Sequence, residues 1–68
     1  MLTTRQIECL AWVREGKSSA DIGVILGLSR HTVDEHLTAA CDRLGVRTRT
    51  QAVAEAIERG LLSVSIPK

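Results

Sequence analysis

The chain has 68 residues, which is enough for one domain, and a core of that size needs well-formed helix ends or a partner to be stable. Hydrophobic residues make up 44% of it and charged residues 25%, which excludes a collagen-like, low-complexity or disordered chain, and no apolar run reaches membrane-spanning length or resembles a signal peptide. The formal net charge is only +1, whereas a basic surface is the usual first sign of a nucleic-acid-binding protein.

Each predicted helix begins at a hydroxyl side chain. Serine and threonine cap helix starts by accepting a hydrogen bond from an early backbone N–H group. A polar side chain three residues later can return a bond to the cap, and Gln6, Asp21 and Gln51 stand at that spacing. We therefore expect four helices, capped in turn by Thr3, Ser18, Ser29 and Thr48.

Glycines mark where the same helices end, because glycine accepts the left-handed conformation that follows a last helical turn. They are Gly16, Gly27, Gly45 and Gly60. Caps and glycines together predict helices near residues 4–15, 19–26, 30–44 and 49–59, with a short tail over 63–68. One stretch competes with this pattern: the alternation in LLSVSI could form a short strand, which Pro67 would end.

Apolar residues recur at helical spacing in every predicted helix. In chain order the stripes are Ile7, Leu10, Ala11 and Trp12; Ile22, Ile25 and Leu26; Val33, Leu37, Ala40, Cys41 and Leu44; and Val53, Ala56 and Ile57, continued by Leu61. Four helices that bury such stripes against one another form a small all-α domain.

The link between the second and third helices consists only of Gly27, Leu28 and Ser29. So short a turn, with glycine at its start, is typical of a helix-turn-helix, in which the second helix of the pair enters the major groove of DNA. We expect Leu28 to fill the core between the two helices. An ordinary helical hairpin has the same spacing, so the turn favours DNA binding but does not establish it.

The outer face of the third helix is acidic, although DNA phosphates repel acids. A helical wheel places opposite the core stripe the side chains of His31, Asp34, Glu35, Thr38 and Asp42. Arg30 and His36 lie on the flanks of that face. Positive charge follows later, since Arg43, Arg47 and Arg49 occur with no acid among the residues from 43 to 54. That run is either a phosphate-binding corner or a solvated one.

The two cysteines, Cys9 and Cys41, lie in apolar helical patterns, so we expect buried free thiols rather than a disulfide. Free thiols suit a reducing cytoplasm, where we expect the protein to act. The cysteines are far apart, and His31 and His36 fall on different sides of a helix, so the sequence predicts no metal site.

An enzyme is not expected, because neither histidine has a nucleophile partner in a plausible cleft. The serines that could serve as nucleophiles are better explained as caps and early-helix residues. They are Ser18, Ser19 and Ser29.

Four stretches cover almost the whole chain, from Leu2 to Leu62: LTTRQIECLAW, GKSSADI, ILGLSRHTVDEHL and RLGVRTRTQAVAEAI. As a set they resemble the LuxR/GerE-type helix-turn-helix domain of bacterial transcription regulators. The IECLAW segment is most similar to members that carry an N-terminal domain for a diffusible signal such as an acyl-homoserine lactone. The resemblance therefore extends to quorum-sensing regulators.

The resemblance implies a four-helix LuxR-type domain with no enzymatic activity and no cofactor. In the family this domain lies at the C-terminus of a longer regulator, so any small-molecule signal would bind an N-terminal domain. The family binds inverted-repeat double-stranded DNA as a dimer, usually through the fourth helix. DNA and a second copy of the chain are therefore the implied partners, and RNA polymerase is a further candidate.

The family's roles are carried over residue by residue. The phosphate-contacting or helix-bracing positions are Lys17, Ser29, Thr32, His36, Arg47 and Arg49. The base-reading positions are Asp34, Glu35 and Thr38. Arg30 and His31 complete the predicted DNA-binding set. On the fourth helix, Val53 and Ile57 are positions where core packing and dimer contact compete, and core packing is favoured.

The sequence departs from the family pattern in ways that weaken the third helix as a DNA contact. Ala39 stands where asparagine is frequent, and Asp42 and Arg43 stand where a pair of basic residues is frequent. Gly23 stands where alanine is common, which we expect to be sterically mild but to cost about 1 kcal/mol of helix propensity. Few phosphate contacts imply a shallow salt dependence, so useful affinity should come from two half-sites bound by a dimer.

Three explanations of the acids stay open at this stage. A carboxylate of Asp34 or Glu35 could accept from the exocyclic amine of cytosine. Alternatively, the acids orient cations, because Asp34 lies four residues after Arg30 and Glu35 four after His31. In the third explanation they are solvated residues with no role in base reading. The cation-orienting explanation is favoured, since both pairs have the required spacing.

A different class of function would use the same fold. An acidic helix face and the fourth helix could bind a protein, such as RNA polymerase or another regulator. A sigma-factor helix-turn-helix has a similar shape, but the GKSSADI and TVDEHL stretches argue against it. Lys17, Arg47 and Arg49 favour DNA over a protein partner.

Overall fold

The computed structural model describes residues 1–64, which form four helices. The helices are α1 (Thr4–Arg14), α2 (Ser19–Leu26), α3 (Arg30–Leu44) and α4 (Arg49–Glu58). Each predicted boundary is confirmed to within one residue. Residues 61–64 form no strand, and the rest of the predicted tail, including Pro67, lies outside the described residues. Within residues 1–64, no helix has both the length and the apolar composition needed to cross a membrane.

The helix starts are capped as predicted. In α1, the Thr3 hydroxyl accepts from the Gln6 N–H at 3.1 Å and the Gln6 side chain accepts from the Thr3 N–H at 2.9 Å. The same reciprocal pair forms at α2 and α4, and Ser29 caps α3. Because these bonds satisfy backbone donors that a helix start leaves unpaired, they stabilise helices that are short by themselves.

The centre of the fold is α3, which packs against α1, α2 and α4. Its predicted stripe is confirmed: Val33, Leu37, Ala40, Cys41 and Leu44 are all buried. This arrangement fixes one face of α3 inside the domain and leaves the opposite face on the surface.

The core also contains residues that the predicted stripes omit. Leu2, Cys9 and Ala52 are buried, and the polar Gln6 is buried because its amide serves the α1 cap. The prediction of a core position for Ile25 is wrong, since that side chain is 43% exposed. On α2 the arc that faces inward runs from Ile22 through Leu26 to Gly23, and Ile25 lies beyond its edge.

Gly23 is the reason that α2 turns this arc inward. A Cβ atom at Gly23 would lie 2.5 Å from the Leu28 carbonyl oxygen, so the α2–α3 turn closes directly over the bare backbone. The Leu28 N–H donates to the Gly23 carbonyl at 2.8 Å across the same turn. The expectation that glycine here is a sterically mild replacement for alanine is therefore wrong for this chain. Gly27 ends α2 with φ of 71°, and Leu28 packs against the core as predicted.

Both cysteines are buried free thiols, as predicted. Burial raises the pKa of each thiol, which keeps both protonated at neutral pH. Cys9 has no solvent exposure, and Cys41 has little. We infer that they serve as small apolar core residues.

Candidate nucleic-acid interface

The outer face of α3 is open to solvent along its length. Four of the five side chains predicted there are exposed: His31, Glu35, Thr38 and Asp42. Arg30 is exposed on one flank, and His36 is half-buried on the other. The fifth predicted residue, Asp34, is half-buried and contacts other helices.

The start of α3 is held by two hydroxyl groups. The Ser29 oxygen accepts from the Thr32 N–H at 3.1 Å, and the Ser29 hydroxyl donates to the Thr32 oxygen at 2.9 Å. Both side chains therefore stabilise the N-terminal end of α3, directly after the α2–α3 turn. Ser29 remains exposed, which leaves its backbone and hydroxyl at the surface where the sequence predicts a DNA contact.

Asp34 belongs to a group of three side chains from three helices, which we call the Asp34 cluster (Ser19, Asp34 and Arg49). The Ser19 hydroxyl donates to the Asp34 carboxylate. Arg49 Nη1 donates to the Ser19 oxygen at 2.8 Å, and Arg49 Nη2 donates to Asp34 Oδ1 at 3.2 Å. Ser19 begins α2 and Arg49 begins α4, so the carboxylate of Asp34 ties both helix starts to α3.

The hydrogen bond from Ser19, followed by that from Arg49, lowers the pKa of the Asp34 carboxyl below the ordinary value of an aspartate. Partial burial opposes this effect and is outweighed. Asp34 is therefore ionised at neutral pH, and its charge is matched by the Arg49 guanidinium.

The predicted pairing of Arg30 with Asp34 is wrong. Within residues 1–64, the ion pair that Asp34 forms is with Arg49, because α4 brings a guanidinium closer than the preceding turn of α3, which carries Arg30, does. The predicted pairing of His31 with Glu35 is confirmed at 3.7 Å, between two side chains that are mostly exposed. Arg30 therefore stands on the open flank of α3 without the acid that was expected to orient it.

The remaining cations differ in whether they already form ion pairs or hydrogen bonds inside the domain. Lys17 and Arg47 are exposed, and neither forms an ion pair within the part of the chain that the structure describes. Arg43 donates to the Met1 carbonyl at 2.7 Å. Arg49 is held in the Asp34 cluster. Among the cations predicted to contact phosphate, Lys17 and Arg47 are thus the two that would not first have to break an ion pair.

A polar depression of about 330 Å³ lies beside α3, where the chain passes into α4. Its polar rim is formed by Thr38, Asp42, Arg47 and Arg49. Thr38 also belongs to the outer face of α3, so the depression connects that face to the two arginines. A surface with hydroxyl and guanidinium groups side by side can donate hydrogen bonds to phosphate oxygens.

The predicted dimer residues lie on a separate, apolar surface. Val53 and Ile57 are half-buried, and Val53 packs against the core while both side chains remain accessible. With Val13, Arg14, Thr50 and Ala54 they line a groove of about 320 Å³ between α1 and α4. We call it the α1–α4 groove. Core packing and surface exposure are therefore combined in Val53.

Sequence reasoning missed two features of these surfaces. Ser19 was assigned only as an early-helix residue, and its bonds to positions 34 and 49 depend on tertiary packing that no local pattern reveals. The groove had a visible signal, since Thr50, Val53, Ala54 and Ile57 recur at helical spacing on one side of α4. Val13 on α1 could be added only once the packing of α1 against α4 was known.

Comparison with known proteins identifies the fold. The family model GerE, described as bacterial regulatory proteins of the luxR family, matches residues 1–56. The solved structure of the transcription factor GerE superposes with a TM-score of 0.89 at 34% identity, covering 94% of this chain and 96% of that one. The superposition agrees with the four-helix fold described above.

Two curated relatives are transcriptional activators. The activator LuxR of Aliivibrio fischeri is 51% identical over 61 residues, which are 90% of this chain and 24% of that protein. The activator VanR of Vibrio anguillarum is 43% identical over 63 residues, 93% of this chain and 26% of that protein. The chain thus spans about a quarter of the length of the curated relatives it matches. It belongs to the luxR family of bacterial regulatory proteins and is a helix-turn-helix DNA-binding domain of that family.

Proposed function

We propose that the domain binds DNA with α3 in the major groove and does so as a dimer on an inverted repeat. One observation carries the first part: α3 buries one face against three helices while its opposite face stays exposed from His31 to Asp42. A recognition helix needs this combination of a rigid base and a free face. The capped turn at Ser29 sets the angle at which that face is presented.

Base reading falls to the exposed side chains of α3. Arg30, with no ion pair among the described residues, can offer its guanidinium fork to guanine. Glu35 and Thr38 are exposed at base-reading positions, and a carboxylate at Glu35 can accept from the cytosine amine. Lys17 and Arg47 are exposed cations that can donate to phosphate oxygens. Asp34 is the predicted base reader whose carboxylate is already engaged inside the domain.

Dimerisation would use the α1–α4 groove. Its lining by Val13, Val53, Ala54 and Ile57 supplies apolar surface that a second copy can cover, and it lies on different elements from the outer face of α3. Two weak half-site contacts joined in this way bind far more tightly than one. The low net charge makes such reinforcement necessary, because each monomer has few phosphate contacts.

The named activators in the family suggest the kind of longer protein in which this domain acts. We infer that the domain is the output part of a longer transcriptional activator that acts in the cytoplasm and contacts RNA polymerase. A domain elsewhere in that regulator would bind a diffusible signal. This inference is supported by the similarity to LuxR and VanR over a quarter of their length.

A selection experiment tests the proposal directly. The purified chain is mixed with duplexes of random sequence at low salt, and the retained DNA is sequenced. The expected result is enrichment of an inverted repeat with a guanine or cytosine preference in each half-site. Failure to enrich any sequence, together with failure to retain duplex DNA at low salt, would contradict DNA binding by this domain.

The second candidate is a protein-interaction module. It is favoured by apolar side chains on the outside of α2, where Val24 is 85% exposed beside the exposed Ile25. Such a surface is suited to a protein rather than to DNA. Under this alternative, Val24→Ser would weaken partner binding, while the selection would recover no common sequence.

A further inference from the structure

The Asp34 cluster pairs two side chains that were both expected at the DNA surface. Arg49 is a predicted phosphate contact, and Asp34 is a predicted base reader. The Asp34 side chain is 41% exposed and the Arg49 side chain 40% exposed, so their contact lies at the edge of the domain. A phosphate oxygen from DNA could therefore approach the same guanidinium that Asp34 now occupies.

A carboxylate and a phosphate make the same demand on arginine, which is to donate charge-assisted hydrogen bonds to anionic oxygens. Arg49 uses one N–H of Nη1 for Ser19 and one of Nη2 for Asp34, so the carboxylate neutralises and orients the guanidinium without using all five of its donors. Ser19 strengthens the arrangement, because its oxygen accepts from Arg49 while its hydroxyl donates to Asp34. Two side chains, Ser19 and Asp34, thus hold the guanidinium in place before DNA arrives.

Arg47 is the neighbouring arginine with which an Arg49 released from Asp34 can be compared. Both arginines line the polar depression that also reaches Thr38 on the outer face of α3. Arg47 is exposed and has no ion pair among residues 1–64, whereas Arg49 is held by Asp34. The two cations therefore share one location and differ in their availability to phosphate.

We propose that Asp34 is a positioning residue that acts through Arg49: it withholds this arginine from DNA phosphates and uses it to fix α3 against the starts of α2 and α4. The proposal rests on DNA binding by the outer face of α3. Its consequence is lower affinity for DNA of any sequence and a fixed orientation of the side chains that read bases. Loss of the carboxylate would release a phosphate contact and loosen the reading helix.

The test measures binding to a random-sequence duplex as a function of salt concentration. Each phosphate contact adds about 0.9 to the slope of log K against log salt on B-form DNA. Asp34→Asn keeps the size of the side chain but removes its charge, so we expect the slope to steepen by about 0.9 per chain. Affinity for random DNA at low salt should rise severalfold, and the preference for a selected site over random DNA should fall.

Glu35→Gln is the matched control. It removes one negative charge from the adjacent position on α3, and the ion pair that Glu35 forms within residues 1–64 is with His31 rather than with an arginine. It therefore weakens general repulsion without releasing a phosphate contact. Its slope should change less than that of Asp34→Asn.

Arg49→Gln, made alone and together with Asp34→Asn, identifies the arginine responsible. Alone it should leave the slope unchanged, because Arg49 is not on phosphate in the native domain. In the Asp34→Asn background it should cancel the added slope. Circular dichroism confirms that each variant is folded. If Asp34→Asn does not fold, Asp34→Ala replaces it, since this change also removes the carboxylate that pairs with Arg49 and should steepen the slope in the same direction.

Three results would overturn the proposal. Equal slopes for Asp34→Asn and Glu35→Gln would mean that Asp34 only repels phosphate. A shallower slope for Arg49→Gln alone would mean that Arg49 already contacts DNA. An unchanged slope for Asp34→Ala, where that variant is needed, would mean that the carboxylate withholds nothing. If the wild-type chain binds no duplex at any salt concentration, the DNA-binding function fails, and that outcome is distinct from the other three.

Discussion

The outer face of α3 and the α1–α4 groove are built on the same core but differ in the contacts that their side chains make. On α3, Asp34 is bonded to two other helices and Glu35 is paired with His31. In the groove, Val53 and Ile57 are half-buried, and their apolar side chains form no hydrogen bonds with water. Arg30 on α3, with Lys17 before α2 and Arg47 after α3, forms no ion pair among residues 1–64, whereas the groove exposes apolar area.

This difference explains how a domain with almost no net charge can bind DNA. Charge neutralisation inside the Asp34 cluster pairs an acid with a base and leaves the net charge at +1, while Arg30, Lys17 and Arg47 form no ion pair among residues 1–64 and stay available to phosphate. In the proposed dimer, apolar area in the groove would supply the second contribution. The two surfaces can be disrupted together or one at a time.

Leu10→Ala should disrupt both surfaces, because Leu10 is fully buried on α1, which packs against α3 and α4. A large-to-small change at such a site costs about 2–5 kcal/mol of unfolding free energy, which is most of the stability of a domain this small. Urea unfolding followed by circular dichroism measures it. Val24→Ala, on the exposed side of α2, is the control and should cost less than about 0.5 kcal/mol. Equal losses would contradict the core described here.

Gly23→Val should damage the α3 side alone. Its Cβ would lie 2.5 Å from the Leu28 carbonyl oxygen, and relieving that clash requires α2 and the turn to move apart. Overpacking of this kind costs about 1–3 kcal/mol, which thermal unfolding measures. Ala20→Val, at an exposed position of the same helix, controls for the helix propensity of valine. A variant as stable as this control would show that the turn has room at Gly23.

Ile57→Glu should disrupt the groove alone. A carboxylate placed in an apolar contact must be desolvated without a partner, so dimer affinity should fall by about tenfold or more, equivalent to 1.4 kcal/mol. Sedimentation of the chain bound to an inverted repeat and to a single half-site measures the effect. Binding to one half-site should be unchanged, and binding to the repeat should weaken. Equal weakening on both duplexes would instead assign Ile57 to the DNA-binding surface or to the core.

Acid should loosen the Asp34 cluster with the smallest effect of the four. The folded-state pKa of Asp34 lies below its unfolded-state value, so the cluster stabilises the fold at neutral pH and loses that contribution as the pH falls below about 4. Because both charged side chains are partly exposed, the loss should stay below about 1 kcal/mol. Unfolding of wild type and Asp34→Asn between about pH 7 and pH 3 isolates it. A variant with the same pH dependence as wild type would contradict this assignment.

The sequence predicted what depends on neighbours along the chain. Caps at Thr3, Ser18, Ser29 and Thr48 and glycines after each helix are local signals, so the four helices were located to within a residue. The α3 stripe was also local and correct. Ile25 was misplaced because the rotation of α2 is decided by the contact of Gly23 with Leu28, which is a property of the turn rather than of the stripe.

The sequence predicted which residues belong to the candidate site but not which of them contact one another. Spacing along one helix pairs Arg30 with Asp34 as readily as His31 with Glu35, and only the second pair forms. Asp34 is drawn instead to Ser19 and Arg49, each fifteen positions away in sequence. Contacts between helices of this kind depend on packing angles, which no periodic pattern specifies.

The most direct test follows amide resonances of the isotope-labelled chain during titration with a duplex that carries one selected half-site. DNA binding through α3 predicts shifts concentrated at residues 28–38 and around Arg47, with residues of the α1–α4 groove unchanged because no second copy is recruited. Shifts confined to the groove or to the outside of α2, with α3 silent, would contradict the central claim that the outer face of α3 meets DNA.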